Sequence, residues 1–153
     1  MEALIKGVVI PFFVSQKSLQ TWLDDYAVSH QNAANKSIHW LCVPVIFLCI
    51  VALLYHVHIG LLGVIAVGVL FFYLRLSLVL FMQMLIFMAL CIAVVYYLPV
   101  SVWFWVGLFV VAWIGQFVGH KIEGAKPSFF EDLQFLLIGP AWVVHDMGRR
   151  LSS

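Results

Sequence analysis

The sequence predicts an all-α integral membrane protein with four transmembrane helices, an N-terminal amphipathic helix and C-terminal interfacial or re-entrant helices. Composition is the first reason: 65% of the 153 residues are hydrophobic and 10% are charged, whereas a soluble domain carries about 25% charged residues. The second reason is a succession of four apolar stretches, and the third is the distribution of the basic residues. The length corresponds to a single membrane domain, residues 1–153.

The four apolar stretches are the predicted membrane spans. They cover residues 41–57, 59–74, 76–97 and 100–118. A spanning helix needs about 20 residues, so the second stretch is short, and three spans with a re-entrant hairpin are the alternative. With four spans, all eight Lys and Arg residues fall on one side of the membrane, as the positive-inside rule requires. We therefore predict four spans with both termini in the cytoplasm.

Shorter helices are expected on both sides of the spans. Over residues 18–30 the apolar side chains recur on one helical face, which predicts a helix that lies on the headgroups or packs across the mouth of the bundle. Residues 128–131 have the spacing of a capping box that opens a helix over 129–138. We expect Gly139-Pro140 to break that helix and a last short helix to follow over 141–150.

Charge and cysteine usage exclude several classes of function. A net charge of +1 without a basic stripe argues against a nucleic-acid partner. The three cysteines lie in apolar runs with no CxxC pair, so neither disulfides nor a thiolate-bound metal is expected. No secretory signal is visible, because Glu2 and Pro11 interrupt the start of the chain.

Six histidines divide into two groups. His56 and His58 fall in the outer turn between the first two spans, and we interpret them as interfacial residues that cap a helix hairpin. The other four lie at the predicted cytoplasmic face, where every Asp and Glu also lies: His30, His39, His120 and His145. Ionisable groups at the edge of a membrane bundle indicate a functional site.

The end of the fourth span combines polar residues on one helical face. The spacing stacks Trp113, Gln116, His120 and Glu123 above one another, and Gly115-x-x-x-Gly119 lets another helix approach closely. A His and a Glu three residues apart can bind one metal ion. The alternative is that the two pair with each other or with the nearby lysines.

Several imidazoles from different helices suit Fe, Zn or Cu, and a set that includes a carboxylate favours non-haem iron. His30 lies on the apolar face of its helix and His39 opens the first span, so both are expected to join His120. Asn32, Asn35 and Gln116 are candidates for orienting the imidazoles.

Two motifs together resemble the 2-hydroxy fatty acid dioxygenase family, small membrane proteins of the yeast endoplasmic reticulum and of bacteria. The resemblance covers residues 17 to 148, and the ending Pro140-Ala-Trp-x2-His145 is similar to the bacterial branch. The motifs are Tyr26-x3-His30-x4-Asn35-x3-His39-x4-Pro44 and Gln116-Phe-Val-Gly-His120-x2-Glu123-Gly-x2-Pro127-Ser.

The resemblance implies an Fe(2+)-dependent α-oxidation in which a 2-hydroxy fatty acid and O2 give a fatty acid one carbon shorter. It implies that the catalytic iron ligands are His30, His39 and His120, that Glu123 is a fourth ligand or a close neighbour of the iron, and that His145 is a further candidate. Substrate-binding candidates are Lys36, Lys121, Lys126, Asn35 and Gln116. The substrate would chelate the iron through its hydroxyl and carboxylate while its acyl chain lies among the spans. The implied location is the bacterial inner membrane, or the endoplasmic reticulum of a eukaryote, with the active site in the cytoplasm.

Other classes of membrane protein fit the sequence less well. Membrane fatty acid hydroxylases and desaturases use HxxxH and HxxHH boxes, which do not occur in this sequence. A bis-histidine haem protein places its histidines across the bundle within the membrane, not at its rim. A non-catalytic metal- or haem-binding protein, or a transporter, is the alternative to an enzyme.

Overall fold

The computed structural model describes residues 18–124 and 136–151, and all regular structure within them is helical. Within these residues, four helices are long and apolar enough to cross a membrane: Ala33–Val57, Ile59–Leu76, Leu78–Tyr97 and Val102–Glu123. This confirms the predicted all-α fold with four spans. In chain order the helices are α1 (Leu19–Val28), α2 (Ala33–Val57), α3 (Ile59–Leu76), α4 (Leu78–Tyr97), α5 (Val102–Glu123) and α6 (Ile138–Leu151).

Two of the long helices extend beyond the apolar stretches that predict them. α2 begins at Ala33 because the side chain of Asn32 caps it, accepting a hydrogen bond from the Ala34 N–H at 2.8 Å. α5 continues to Glu123 and ends where Gly124 adopts a left-handed conformation with φ of 77°. Hydropathy marks only the apolar part of a helix, so the polar ends are absent from the predicted ranges.

Histidines close the turn between α2 and α3. His58 ends α2 and caps α3, where its Nδ1 accepts a hydrogen bond from the Gly60 N–H at 3.0 Å. In the last turn of α2, Nδ1 of His56 donates to the carbonyl of Ala52 at 2.8 Å. The interpretation as a residue that caps the helix hairpin is therefore confirmed for His58, whereas His56 lies within the last turn of α2.

The C-terminal helix is not broken at Gly139-Pro140, where the sequence predicts a break. α6 begins at Ile138 and includes both residues. Proline is tolerated in the first turn of a helix because an N–H there has no carbonyl partner within the helix. The buried Tyr73 hydroxyl of α3 donates to the Leu137 carbonyl at 2.7 Å, which joins the start of α6 to the bundle. Most of the helix expected over 129–138 lies outside the described residues.

Apolar side chains cover the outer surface of the four long helices. Buried side chains of the core come from all of α2 to α5, including Met84, Tyr73 and Trp105. Large apolar groups on the other faces of the helices are exposed, among them Val64, Val67, Leu90, Trp103 and Val111. Such a surface is disfavoured in water and is the surface that a helix bundle presents to lipid. The protein is therefore a membrane protein.

Candidate metal centre

Three buried histidines meet at one end of the bundle. His30 follows α1, His39 lies in the second turn of α2, and His120 lies in the last turn of α5. Each is at most 6% exposed. One ring nitrogen from each histidine lies within 4.8 Å of the corresponding nitrogens of the other two. Ring nitrogens that lie this close together could hold one metal ion.

Backbone carbonyls orient two of the three rings. Nδ1 of His30 lies 2.6 Å from the Tyr26 carbonyl oxygen, and Nδ1 of His39 lies 3.0 Å from the Asn35 carbonyl oxygen. A carbonyl can only accept, so Nδ1 carries the proton in both rings and Nε2 carries the lone pair. A neutral imidazole held in this way is the usual form of a histidine that binds a metal.

The donor set and the space around it fit a transition-metal ion. Three neutral imidazoles suit Fe, Zn or Cu. The three rings line a cavity of about 40 Å³, which has room for an ion and a few water molecules. Trp113 and Gln116 line the cavity on the α5 side, and the apolar residues Val43, Ile46 and Phe47 line it on the α2 side. A metal ion bound here would therefore lie between a polar rim and an apolar wall.

Glu123 lies beside this cluster and contacts the beginning of α2. Its carboxylate accepts hydrogen bonds from the backbone N–H groups of Gln31 at 2.9 Å and Asn32 at 2.8 Å, and from Nδ2 of Asn35 at 2.9 Å. A carboxylate at this position satisfies N–H groups that a helix leaves without an internal partner. Within the described part of the chain, Glu123 is outside the group of three ring nitrogens.

The remaining sequence-predicted residues occupy different places. His145 lies on α6, partly buried, and is also outside the group of three in the region described. Gln116 lines the cavity. Lys36 and Lys121 are exposed at the same end of the bundle. Lys126 lies outside the described residues.

A comparison with models of known protein families shows the family of this chain. The model for the family described as "2-hydroxy-palmitic acid dioxygenase Mpo1-like" matches residues 16–151, a range that contains both histidine motifs. The chain belongs to the Mpo1-like family. The resemblance drawn from the two motifs is thereby confirmed. No curated protein and no solved structure matches the chain.

Two aromatic residues of this Mpo1-like site were not assigned a role from the sequence. The Tyr26 ring stacks on His30 with centroids 4.1 Å apart and 9° between the planes. Trp142 of α6 lies against both rings, with centroids 5.3 Å from Tyr26 and 6.0 Å from His30. The spacing of four residues between Tyr26 and His30 indicates a shared helical face and was a usable signal. Trp142 is part of the C-terminal motif of the resemblance, but no helical spacing relates it to Tyr26 or His30, because α6 reaches the site only through tertiary packing.

Close packing of α2 against α5 brings His39 and His120 together. A Cβ atom on Gly115 would lie 2.7 Å from Sγ of Cys42, and one on Gly119 would lie 2.5 Å from Oδ1 of Asn35. Both distances are shorter than real Cβ contacts, so only glycine permits this approach. The small-residue surface predicted from Gly115-x-x-x-Gly119 is confirmed.

We expect Gly119→Ala to destabilise this Mpo1-like protein by about 1–3 kcal/mol, the usual cost of overpacking, and to separate the histidines of α2 and α5. Gly107→Ala is the matched control in the same helix, because a Cβ there meets nothing within 4 Å. We expect the stability of Gly107→Ala to be unchanged or to rise by up to about 1 kcal/mol, because alanine has a higher helix propensity than glycine. Thermal unfolding in detergent measures both variants. Equal melting temperatures would contradict the packing described.

Proposed function

We propose that this protein is an Fe(II)-dependent dioxygenase that converts 2-hydroxy fatty acids to fatty acids one carbon shorter. The observation that carries the proposal is the group of three buried imidazoles within 4.8 Å of one another, in a chain of the Mpo1-like family. The ligands proposed are His30, His39 and His120. Bound Fe(II) would supply the activation of O2 and would keep coordination positions open beyond the three imidazoles.

Electron balance supports this reaction. The conversion R–CH(OH)–COOH + O2 → R–COOH + CO2 + H2O is a four-electron oxidation of the substrate, and one O2 accepts four electrons on reduction to water. The 2-hydroxy acid therefore supplies every electron that O2 takes up. No further reductant is needed, so the proposed reaction requires no site for a reducing co-substrate.

Glu123 and Asn35 are proposed to support the site without binding the metal. The two carboxylate oxygens of Glu123 already accept from two backbone N–H groups and one amide. The amide nitrogen of Asn35 already donates to Glu123 and to the Ser29 carbonyl. His145, outside the group of three, is not among the proposed ligands.

The substrate is proposed to place its polar end in the cavity and its acyl chain against apolar surface. A cavity of about 40 Å³ is far below the roughly 300–1,000 Å³ that enclose a whole small-molecule ligand. Gln116 lines the cavity and is the proposed contact for the polar end. The exposed Lys36 and Lys121 are proposed to attract the carboxylate to this end of the bundle, and Lys126 stays a sequence-based candidate. O2 uptake with a 2-hydroxy fatty acid, with products resolved by mass, tests the reaction.

The site is proposed to face the cytoplasm, in the bacterial inner membrane or, in a eukaryote, the endoplasmic reticulum. In a background without native cysteines, His58→Cys and Leu98→Cys should react with an impermeant maleimide added to intact cells. Arg75→Cys and Lys121→Cys should react only after lysis, because basic residues stay on the cytoplasmic side. Different accessibility of the last two variants would contradict the arrangement of the four spans.

A further inference from the structure

We infer that Glu123 and Asn35 act together as positioning residues that hold the three histidines at metal-binding distance. The inference rests on the proposed metal site and adds what sets its geometry. His30 and His39 belong to neighbouring segments, but His120 is carried by α5, far away in the chain. The group of three therefore depends on non-covalent contacts that join the end of α5 to the beginning of α2.

Glu123 makes the first of these contacts. It lies one helical turn after His120, so its carboxylate moves with that histidine. Its hydrogen bonds reach the N–H of Gln31, the residue that directly follows His30, at 2.9 Å, and the N–H of Asn32 at 2.8 Å. Hydrogen bonds to an ionised acceptor are stronger than neutral ones. One side chain therefore fixes the backbone beside His30 relative to His120.

Asn35 extends the contact to the third histidine. Its side chain is fully buried, and Nδ2 donates to Glu123 at 2.9 Å and to the Ser29 carbonyl at 3.1 Å. The backbone carbonyl of Asn35 accepts from Nδ1 of His39 at 3.0 Å. Asn35 also packs against Gly119, the residue before His120, where a Cβ atom would lie 2.5 Å from its Oδ1. The Glu123–Asn35 pair therefore contacts the backbone next to His30 and His120, and the ring of His39.

A positioning role and a ligand role for Glu123 predict different behaviour. A ligand contributes an oxygen to the metal, so its loss changes the donor set, which the spectrum of the bound metal reports. A positioning pair leaves three nitrogen donors in place, and the loss of either member weakens binding by a similar factor. Residues that orient metal ligands typically contribute about 10–100-fold in affinity.

The test compares Glu123→Gln, Asn35→Ala and the double variant, with Co(II) as the metal probe. Glutamine keeps the shape of Glu123 but offers one acceptor oxygen to three N–H donors. Asp24→Asn is the matched control, since it also removes one carboxylate charge, and on the exposed face of α1 the Asp24 carboxylate accepts a hydrogen bond from the Gln20 side chain at 2.8 Å. The dissociation constant is measured by chelator competition well below the melting temperature of each metal-free variant. The visible spectrum of bound Co(II) reports its donor set.

We expect each single variant to raise the dissociation constant about 10–100-fold with Co(II) band positions unchanged. The dissociation constant of the double variant should be no higher than that of the weaker-binding single variant, because both residues act through one hydrogen-bonded pair. Asp24→Asn should bind as the wild type does. If Asn35→Ala does not insert in the membrane, the inference is tested with Glu123→Gln alone, by its dissociation constant for Co(II) and by the visible spectrum of the bound Co(II).

Three results would overturn the inference. A changed Co(II) spectrum in Glu123→Gln would make Glu123 a ligand. If Glu123→Gln binds Co(II) as tightly as the wild type does, Glu123 has no positioning role. The proposed function is not affected by that result. Absence of metal binding by the wild type would overturn the proposed function and the inference with it.

Discussion

Replacing His30, His39 or His120 by alanine is expected to abolish metal binding, with the protein still inserted in the membrane. Each ring is one of three donors around a single small cavity, so removal of one leaves two imidazoles and a space that water enters. Two neutral imidazoles without a third donor do not hold Fe(II) through purification. Activity should fall with the metal, to the background of the assay.

The outer histidines are the matched controls for this loss. His56→Ala and His58→Ala should keep the metal content of the wild type, because seventeen residues of helix separate His39 from His56, roughly 25 Å at 1.5 Å per residue. Metal content per protein by elemental analysis, after equal recovery in the membrane fraction, measures all five variants. A similar loss of metal from the outer pair would show that the inner three are not a distinct site.

Under conditions in which the protein shortens a 2-hydroxy fatty acid, we expect the unsubstituted fatty acid of the same length not to react. Removing one carbon from the unsubstituted acid is a six-electron oxidation, which one O2 does not complete. The unsubstituted acid also lacks the hydroxyl that would enter the polar end of the cavity beside Gln116. A site that hydrogen-bonds a substrate hydroxyl rejects the analogue without it by about 10⁴-fold, so the expected contrast is large.

Protein loaded with Fe(II) under anaerobic conditions, then mixed with O2 in detergent, provides this comparison. Products are resolved by mass, and O2 consumed is counted against acid consumed, with an expected ratio of one to one for the 2-hydroxy acid. The unsubstituted acid should produce neither shortened product nor O2 uptake above that of protein alone. Shortening of both acids at similar rates would contradict the proposed electron balance.

The membrane fold was predictable because its determinants are local in the sequence. Apolar stretches of nearly spanning length and the position of eight basic residues predict four spans, and the described part of the chain contains four helices of that kind. Gly115-x-x-x-Gly119 predicts a close helix contact without naming the partner helix, and the structure shows that the partner is α2. Helix ends were less predictable, as with Gly139-Pro140, because hydropathy does not report caps or first-turn prolines.

The sequence by itself determined which residues share a helical face and that three histidines belong to one end of the bundle. Their roles as ligands stay predictions. Only the tertiary structure decided what each polar side chain meets: Glu123 contacts N–H groups about ninety positions away in the chain, at Gln31 and Asn32, and Trp142 reaches Tyr26 from another helix. Helical periodicity gives the direction of a side chain about its own axis. The rotation and depth at which two helices meet follow from side-chain packing between them, which neither helix encodes alone.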